Sequence, residues 1–256
     1  MALGTEENAQ NWPAVPAWQR IPMTTWHRQI FFLKDADPQG PNYFVLADSF
    51  GGAPTRPTEL SLWFLASSVT GQAPLYHFDG QCNVDMDVFV AVPNGATPET
   101  GQYGHPMVPW TRPVKSDPKY FPGGKTDNEV QQFIRFKQPV GQGYLVALYP
   151  RLKSIDPPAV FSAPAEHVIR AVTPLSTDYA FLNSTAFDFK DARVSFHGTA
   201  GAVRFYKSGK IAVVNTEGYA EFTVAGKSIS GDCAFNVIID HDSVTTMPRD
   251  ARVTVK

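Results

Sequence analysis

The chain has 256 residues, of which 43% are hydrophobic and 18% are charged, and its formal net charge is −2. This is the composition of a folded protein that is long enough to bury a substantial core. The near-neutral charge gives no electrostatic reason to expect nucleic acid or an anionic membrane as the partner. No run approaches the roughly 20 apolar residues that span a bilayer.

Residues 1–25 are predicted to be an irregular lead-in that is rich in Pro and Trp. The opening MALGTEENAQ lacks a basic region followed by an apolar one, so we expect no signal peptide in this chain.

Strand signals follow one another from residue 26 onwards. The runs RQIFFLK (28–34) and ELSLWFLAS (59–67) are rich in aromatic and branched residues and are bounded by Gly/Pro turns. In NVDMDVFVAV (83–92) apolar residues alternate with Asp85 and Asp87. This alternation predicts a strand with one polar face.

Short strands crowd the C-terminal third. ARVSFHG (192–198) and AVRFYKSGKIAVVN (202–215) are apolar runs with polar glycine turns, which is typical of stacked antiparallel sheets. We therefore predict an all-β fold, an antiparallel β-sandwich. It would consist of a large two-sheet sandwich over 26–172 and a smaller C-terminal β lobe over 173–256.

The two cysteines, Cys82 and Cys233, are too far apart in sequence for a metal motif, and both lie in apolar strand-like contexts. Buried free thiols and a disulfide are both compatible with this pattern. The sequence requires no cofactor and predicts no metal ligands, although it leaves a structural or catalytic divalent metal open.

Two stretches carry a resemblance to a known family. WHRQIFFLKDADPQGPNYFVLADSF (26–50) has an Arg, an apolar strand that ends in Lys, a Pro/Gly turn and Y-F-V-x-x-D. DYAFLNSTAFDFKDARVSFHGTAGAVRFYKSGKIAVVN (178–215) has D-Y-x-F-L followed by F-x-G-T-A-G-x-V-R. In order and spacing these stretches resemble the β-sheet region of heparinase II/III-type polysaccharide lyases.

The resemblance implies the β scaffold of such a lyase and an extracellular or periplasmic location. It does not extend to the catalytic toroid, because no amphipathic helical array precedes residue 26 and no His-x-His occurs in the sequence. No catalytic residue is therefore carried over. We expect a carbohydrate-directed module that binds acidic, uronate-containing polysaccharide without cleaving it.

A long loop over 93–129 is the main candidate for contact with sugar. Its seven prolines restrict the backbone, and it is richer in aromatic residues than disordered segments usually are. Aromatic rings stack on sugar faces and cations bind carboxylates or sulfates, so the candidate binding residues are Trp110, Lys115, Tyr120 and Lys125. An alternative remains open, in which the aromatic residues cover the scaffold or a subunit interface.

Two further functions are retained. A stand-alone lyase that cleaves uronate glycans by β-elimination needs a base, an acid and a group that neutralises the uronate carboxylate. The candidates are Tyr103, His105 and His77 for proton transfer and Arg112 for charge, with Asp79 on the same side of its strand as His77. The last alternative is a structural module that forms a homo-oligomer.

Overall fold

The structure is a computed structural model that describes residues 23–35, 40–80, 83–104, 130–154, 158–241, 243–248 and 252–256. Within these ranges every regular element is a β-strand. None of the described residues forms a helix long and apolar enough to cross a membrane.

The first eight strands are β1 (Thr24–Leu33), β2 (Tyr43–Gly52), β3 (Pro57–Gln72), β4 (Leu75–Gly80), β5 (Val84–Val92), β6 (Glu99–Gly104), β7 (Val130–Val140) and β8 (Tyr144–Leu152). They are followed by β9 (Val160–Ala165), β10 (Val168–Val172), β11 (Ser176–Lys190), β12 (Val194–Tyr206), β13 (Ile211–Asn215), β14 (Ala220–Val224), β15 (Lys227–Gly231), β16 (Phe235–Asp240), β17 (Ser243–Met247) and β18 (Val253–Val255).

The first eight strands form one antiparallel sheet in the order β1-β2-β8-β5-β4-β3-β7-β6. Strand β3 changes its partner along its length: residues 57–65 pair with β7, and residues 66–72 pair with β4. The sheet therefore folds over at β3. We call β1, β2, β8, β5, β4 and residues 66–72 layer A, and residues 57–65 with β7 and β6 layer B.

The remaining ten strands form a second antiparallel sheet, which folds in the same way. In β12, residues 201–205 pair with β13, whereas residues 194–197 pair with β14. The register between β11 and β12 shifts between Leu182 and Phe187, at the same level. We call the part that contains β9, β10, β13, β16 and β17 layer C, and the part that contains β14, β15 and β18 layer D. Strands β11 and β12 run through both layers.

A close approach between layers C and D explains the glycine at the fold of β12. A Cβ atom at Gly201 would lie 2.7 Å from the ring of Phe222 and 2.8 Å from the carbonyl oxygen of Val214. Both distances are shorter than a side chain tolerates, so only glycine fits where the two layers meet.

Three hydrophobic cores separate the four layers. In β8, Leu145, Ala147 and Tyr149 belong to the core between layers A and C, whereas Tyr144 and Val146 belong to the core between layers A and B. This is the two-residue period of a strand that is buried on both faces.

Strand β11 alternates in the same way between the second and third cores. Ala180 and Leu182 pack toward layer A, while Phe181 stacks on Phe196 at a ring distance of 4.3 Å in the core between layers C and D. The layers are therefore stacked in the order B, A, C, D.

The predicted fold class is confirmed, since the chain is an all-β antiparallel sandwich. The strands divide between the two sheets after residue 152, because β9 pairs with β10 and β10 pairs with β11 in the second sheet. The domain boundary at residue 172 stays a prediction. Residues 99–104, predicted to belong to the long loop, form β6 and pair with β7. Cys233 is a free, half-buried thiol, and Cys82 lies outside the described residues.

A buried guanidinium joins the two sheets. Arg204 on β12 donates hydrogen bonds of 2.7–3.0 Å to Asp178 on β11, one of 3.0 Å to Asp35 and one of 3.0 Å to the carbonyl oxygen of Pro41. The hydroxyl of Tyr43 on β2 donates to the same Asp178 carboxylate at 3.0 Å. Residues of both sheets thus converge on one ion pair.

The two ionisable groups around Asp178 respond to burial in different ways. Burial by itself lowers the pKa of Arg204, but the hydrogen bonds and charge of Asp178 raise that pKa overall, so the guanidinium is charged. Burial, together with the charge of Asp178, raises the pKa of Tyr43 well above its usual value, so this hydroxyl stays a donor.

We predict that Asp178→Ala lowers the free energy of unfolding by about 3 kcal/mol, because it removes three of the five hydrogen bonds of the buried Arg204 and leaves Asp35 as its remaining carboxylate partner. Urea denaturation measures this change. The control is Asp188→Ala, which removes an exposed carboxylate 2.9 Å from His197 and is expected to change stability by less than about 1 kcal/mol. Equal effects of the two substitutions would contradict the role given to Arg204.

Candidate functional site

The structure describes two of the residues that the sequence proposed as catalytic. His77 lies on β4, and the backbone of Tyr103 lies on β6, paired with Gln131. The other predicted site residues lie outside the described residues: His105, Arg112, Trp110, Lys115, Tyr120 and Lys125.

His77 points away from layer B. Its neighbours Tyr76 and Phe78 are buried in the core between layers A and B, so the alternation of the strand places His77 on the opposite face of layer A. Tyr103 belongs to layer B. A site that combines His77 with the 93–129 loop stays a prediction.

The carboxylate that contacts His77 is Asp87, not Asp79. Asp87 lies directly opposite His77 on β5, and its Oδ1 is 2.7 Å from Nδ1 of the imidazole. The other ring nitrogen, Nε2, is 3.8 Å from Oδ2 of Asp85. Arg151 on β8 completes the ring of charges, with Nε 2.7 Å from Asp87 and a terminal nitrogen 3.6 Å from Asp85.

Asp79 is paired with Lys153 instead. The hydrogen bond from Lys153 lowers the pKa of Asp79, and the same bond raises the pKa of Lys153. The ammonium of Lys153 also lies 3.6 Å from Asp85.

This charged cluster therefore crosslinks β4, β5 and β8. Asp85 and Asp87 are both nearly buried, and two cations neutralise them, which is what buried carboxylates require. The geometry orients an imidazole, but its cations are occupied by the cluster itself. Among the described residues no set of His, Cys, Asp and Glu side chains is arranged to hold a metal ion.

A second arrangement lies on β1 and β2 and was not predicted from the sequence. The indole Nε1 of Trp26 donates to Oδ1 of Asp48 at 3.0 Å. Arg28 donates to both oxygens of the same carboxylate at 2.7 Å, and its guanidinium carbon lies 4.8 Å from the centre of the Trp26 ring. Asp48 is buried, whereas Trp26 is 45% exposed.

The register of β1 and β2 builds this arrangement. Arg28 lies directly opposite Asp48, and Trp26 lies opposite Phe50, so all four side chains share one face of layer A. Trp26 remains exposed on that face, so this end of β1 is not covered by the core between layers A and B.

Trp26 forms one wall of an open groove of about 690 Å³, which we call the Trp26 groove. The segment between β2 and β3 also lines the groove, with Pro54, Thr55 and Arg56. A groove of this size lies within the usual range for small ligands.

The charged side chains of the groove differ in whether they already form an ion pair. Asp48 is held by Arg28, and its hydrogen bonds raise the pKa of that arginine. Glu59 is 2.9 Å from Arg135 on β7. Arg56 is exposed and has no ion-pair partner within the described ranges. The groove thus presents one aromatic face and one available cation.

A sequence signal for the groove was present in the alternation W-x-R on β1 and the Asp that ends Y-F-V-x-x-D on β2. This alternation does not by itself predict the groove, because the exposure of Trp26 depends on how far layer B extends over layer A. The strand pattern does not contain that information.

In comparisons with known proteins, no family model, no curated protein and no solved structure matches this chain.

We predict that the His77 cluster is structural. Asp87→Ala should lower the free energy of unfolding by about 3 kcal/mol because it deprives the nearly buried Arg151 of its closest carboxylate. His77→Ala should lower it by less than about 1 kcal/mol because the imidazole is partly solvent-exposed. Guanidinium denaturation of the two variants is the measurement, and a larger loss for His77→Ala would contradict this interpretation.

Proposed function

We propose that this chain is a carbohydrate-directed β-sandwich module that binds acidic, uronate-containing polysaccharide in the Trp26 groove. The observation that carries the proposal is an exposed indole held in a fixed orientation beside an available arginine. Trp26 is 45% exposed, although its polar atom is already satisfied by the buried Asp48.

The indole of Trp26 has its N–H bonded to Asp48 and is 45% exposed, so part of the ring is accessible to a ligand. Aromatic faces bury large apolar areas and suit the C–H surface of a pyranose ring. Because the hydrogen bond to Asp48 and the contact with Arg28 already fix the ring, binding loses little side-chain entropy.

The charge in the groove favours an acidic sugar. Arg56 faces the same groove and is free to form a bidentate contact with a uronate carboxylate. The carboxylates in the groove, Asp48 and Glu59, are both paired with arginines and therefore repel such a ligand less than free ones would.

The two alternatives have weaker support. A stand-alone lyase needs a free base and a free neutralising cation, whereas His77, Arg151 and Lys153 are bound to Asp87, Asp85 and Asp79. An oligomeric role is compatible with Ile30 and Phe32, which are exposed on the edge strand β1, and light scattering would detect it.

We predict that Trp26→Ala weakens binding to alginate or hyaluronan oligosaccharides by at least about tenfold, as for a central aromatic anchor. Phe32→Ala is the matched control, since it removes an aromatic residue that is 49% exposed on the same face of the same strand but outside the groove. Isothermal titration calorimetry measures both affinities. Arg56→Gln should weaken binding to these acidic oligosaccharides and leave binding to their carboxyl-reduced forms unchanged.

Indifference of the wild-type protein to alginate, glycosaminoglycans and ulvan on affinity gels would count against the proposal. Ultraviolet absorbance of unsaturated uronate tests the alternative of a lyase in the same samples. A rise in that absorbance would replace a binding module with an enzyme.

A further inference from the structure

The folding of the second sheet brings together three hairpin turns that are distant along the strands. The turn between β11 and β12 lies at the start of β12, and the turn between β12 and β13 lies at its end. Because β12 bends between layers D and C, both turns and the β14–β15 turn line one open cleft of about 490 Å³. We call it the turn cleft.

The turn cleft is rich in cations. Lys190 and Arg193 come from the first turn, and Lys210 comes from the second. None of these three side chains forms an ion pair with another described residue. In contrast, Arg28, Arg135, Arg151 and Arg204 are all paired with carboxylates.

One carboxylate lines the cleft, and its oxygens are directed into the turn. Asp191 accepts hydrogen bonds from the backbone N–H groups of Arg193 and Val194 at 2.7 and 2.9 Å, and from the hydroxyl of Tyr179 at 2.7 Å. Partial burial acts to raise the pKa of Asp191, but these hydrogen bonds lower it overall. The carboxylate shapes the turn and leaves its neighbouring cations without a direct partner.

Two of the cations are held over aromatic rings. The guanidinium carbon of Arg193 is 4.3 Å from the centre of the Phe205 ring, and the ammonium of Lys210 is 5.5 Å from that of Tyr206. These cation–π contacts restrict the side chains while leaving their N–H groups free to donate.

We infer that the turn cleft is an anion-binding site that takes a sulfate or carboxylate group of a polyanionic glycan. Sulfates and carboxylates both offer several acceptor oxygens to a guanidinium fork and nearby ammonium groups. The inference rests on the proposed function only in naming a glycan as the polymer that carries the anion. The turn cleft would give that glycan a second contact with the protein, in addition to the Trp26 groove.

The test uses a variant with Lys190→Gln, Arg193→Gln and Lys210→Gln. A matched control carries Lys34→Gln, Lys137→Gln and Lys256→Gln, which remove the same charge from exposed positions outside the cleft. Two-dimensional NMR at constant ionic strength follows a titration with sodium sulfate and, separately, sodium acetate. The wild-type protein and the control should show saturable shifts at the amides of Ala192, Gly209 and Gly226, and the cleft variant should not.

Binding to polymers then identifies the source of the anion. Affinities for hyaluronan, which has carboxylates alone, and chondroitin sulfate, which has both groups, are compared at low salt, where screening is weak. The cleft variant should lose about tenfold or more for at least one polymer, while the control variant changes by less than about twofold. Loss for both polymers identifies the carboxylate, and loss for chondroitin sulfate alone identifies the sulfate.

Absence of saturable amide shifts in the wild-type protein would overturn the inference, as would equal polymer affinities of the cleft and control variants. These outcomes are separate from failure of the proposed function. If the proposed function fails, Trp26→Ala will leave polymer binding unchanged, while the sulfate titration will still show saturable shifts at the turn cleft.

Discussion

The structure depends on one buried guanidinium. Arg204 links β11 and β12 of the second sheet to Asp35 and Pro41, which flank the turn between β1 and β2 of the first sheet. A buried charge of this kind requires paired carboxylates and bonded N–H groups, and Asp178, Asp35 and the carbonyl oxygen of Pro41 supply them. Tyr43 contributes to the same carboxylate, so the two sheets meet with their polar groups satisfied and with apolar side chains around them. This joint fixes layer A against layer C, and the other two layers follow from the folding of each sheet.

The four-layer arrangement determines which surfaces remain available. A layer that is covered on both faces exposes side chains only where its neighbour ends. The Trp26 groove lies at such an edge, where β1 and β2 extend beyond the core between layers A and B. The turn cleft lies at another, where the folded second sheet opens between layers C and D. Both surfaces combine aromatic rings with at least one cation that lacks a carboxylate partner among the described residues, and the proposed binding of acidic sugars depends on this combination.

The sequence predicted the all-β class because alternation and turn residues are local signals, and they are strong in segments such as ELSLWFLAS. It did not predict that β3 and β12 each serve two layers, because a strand's change of partner depends on distant strands. For the same reason it did not predict that β9 and β10 join the second sheet or that residues 99–104 of the predicted loop form β6. The candidate site was predicted less well. His77 was identified, but its partner Asp87 comes from another strand, and the exposure of Trp26 depends on the extent of layer B. The polar residues of the stretches 26–50 and 178–215 contact one another, Arg28 with Asp48 and Tyr43 with Asp178 and Arg204.

We propose that an acidic oligosaccharide lies against the indole of Trp26. The most direct test of this proposal is the indole N–H resonance of Trp26, assigned with Trp26→Phe and followed by NMR during titration with a uronate oligosaccharide. We expect a saturable shift of that resonance, together with shifts of the backbone amides of Thr55 and Arg56, which also line the groove. Shifts confined to the strands around His77, with the Trp26 resonance unmoved, would contradict it.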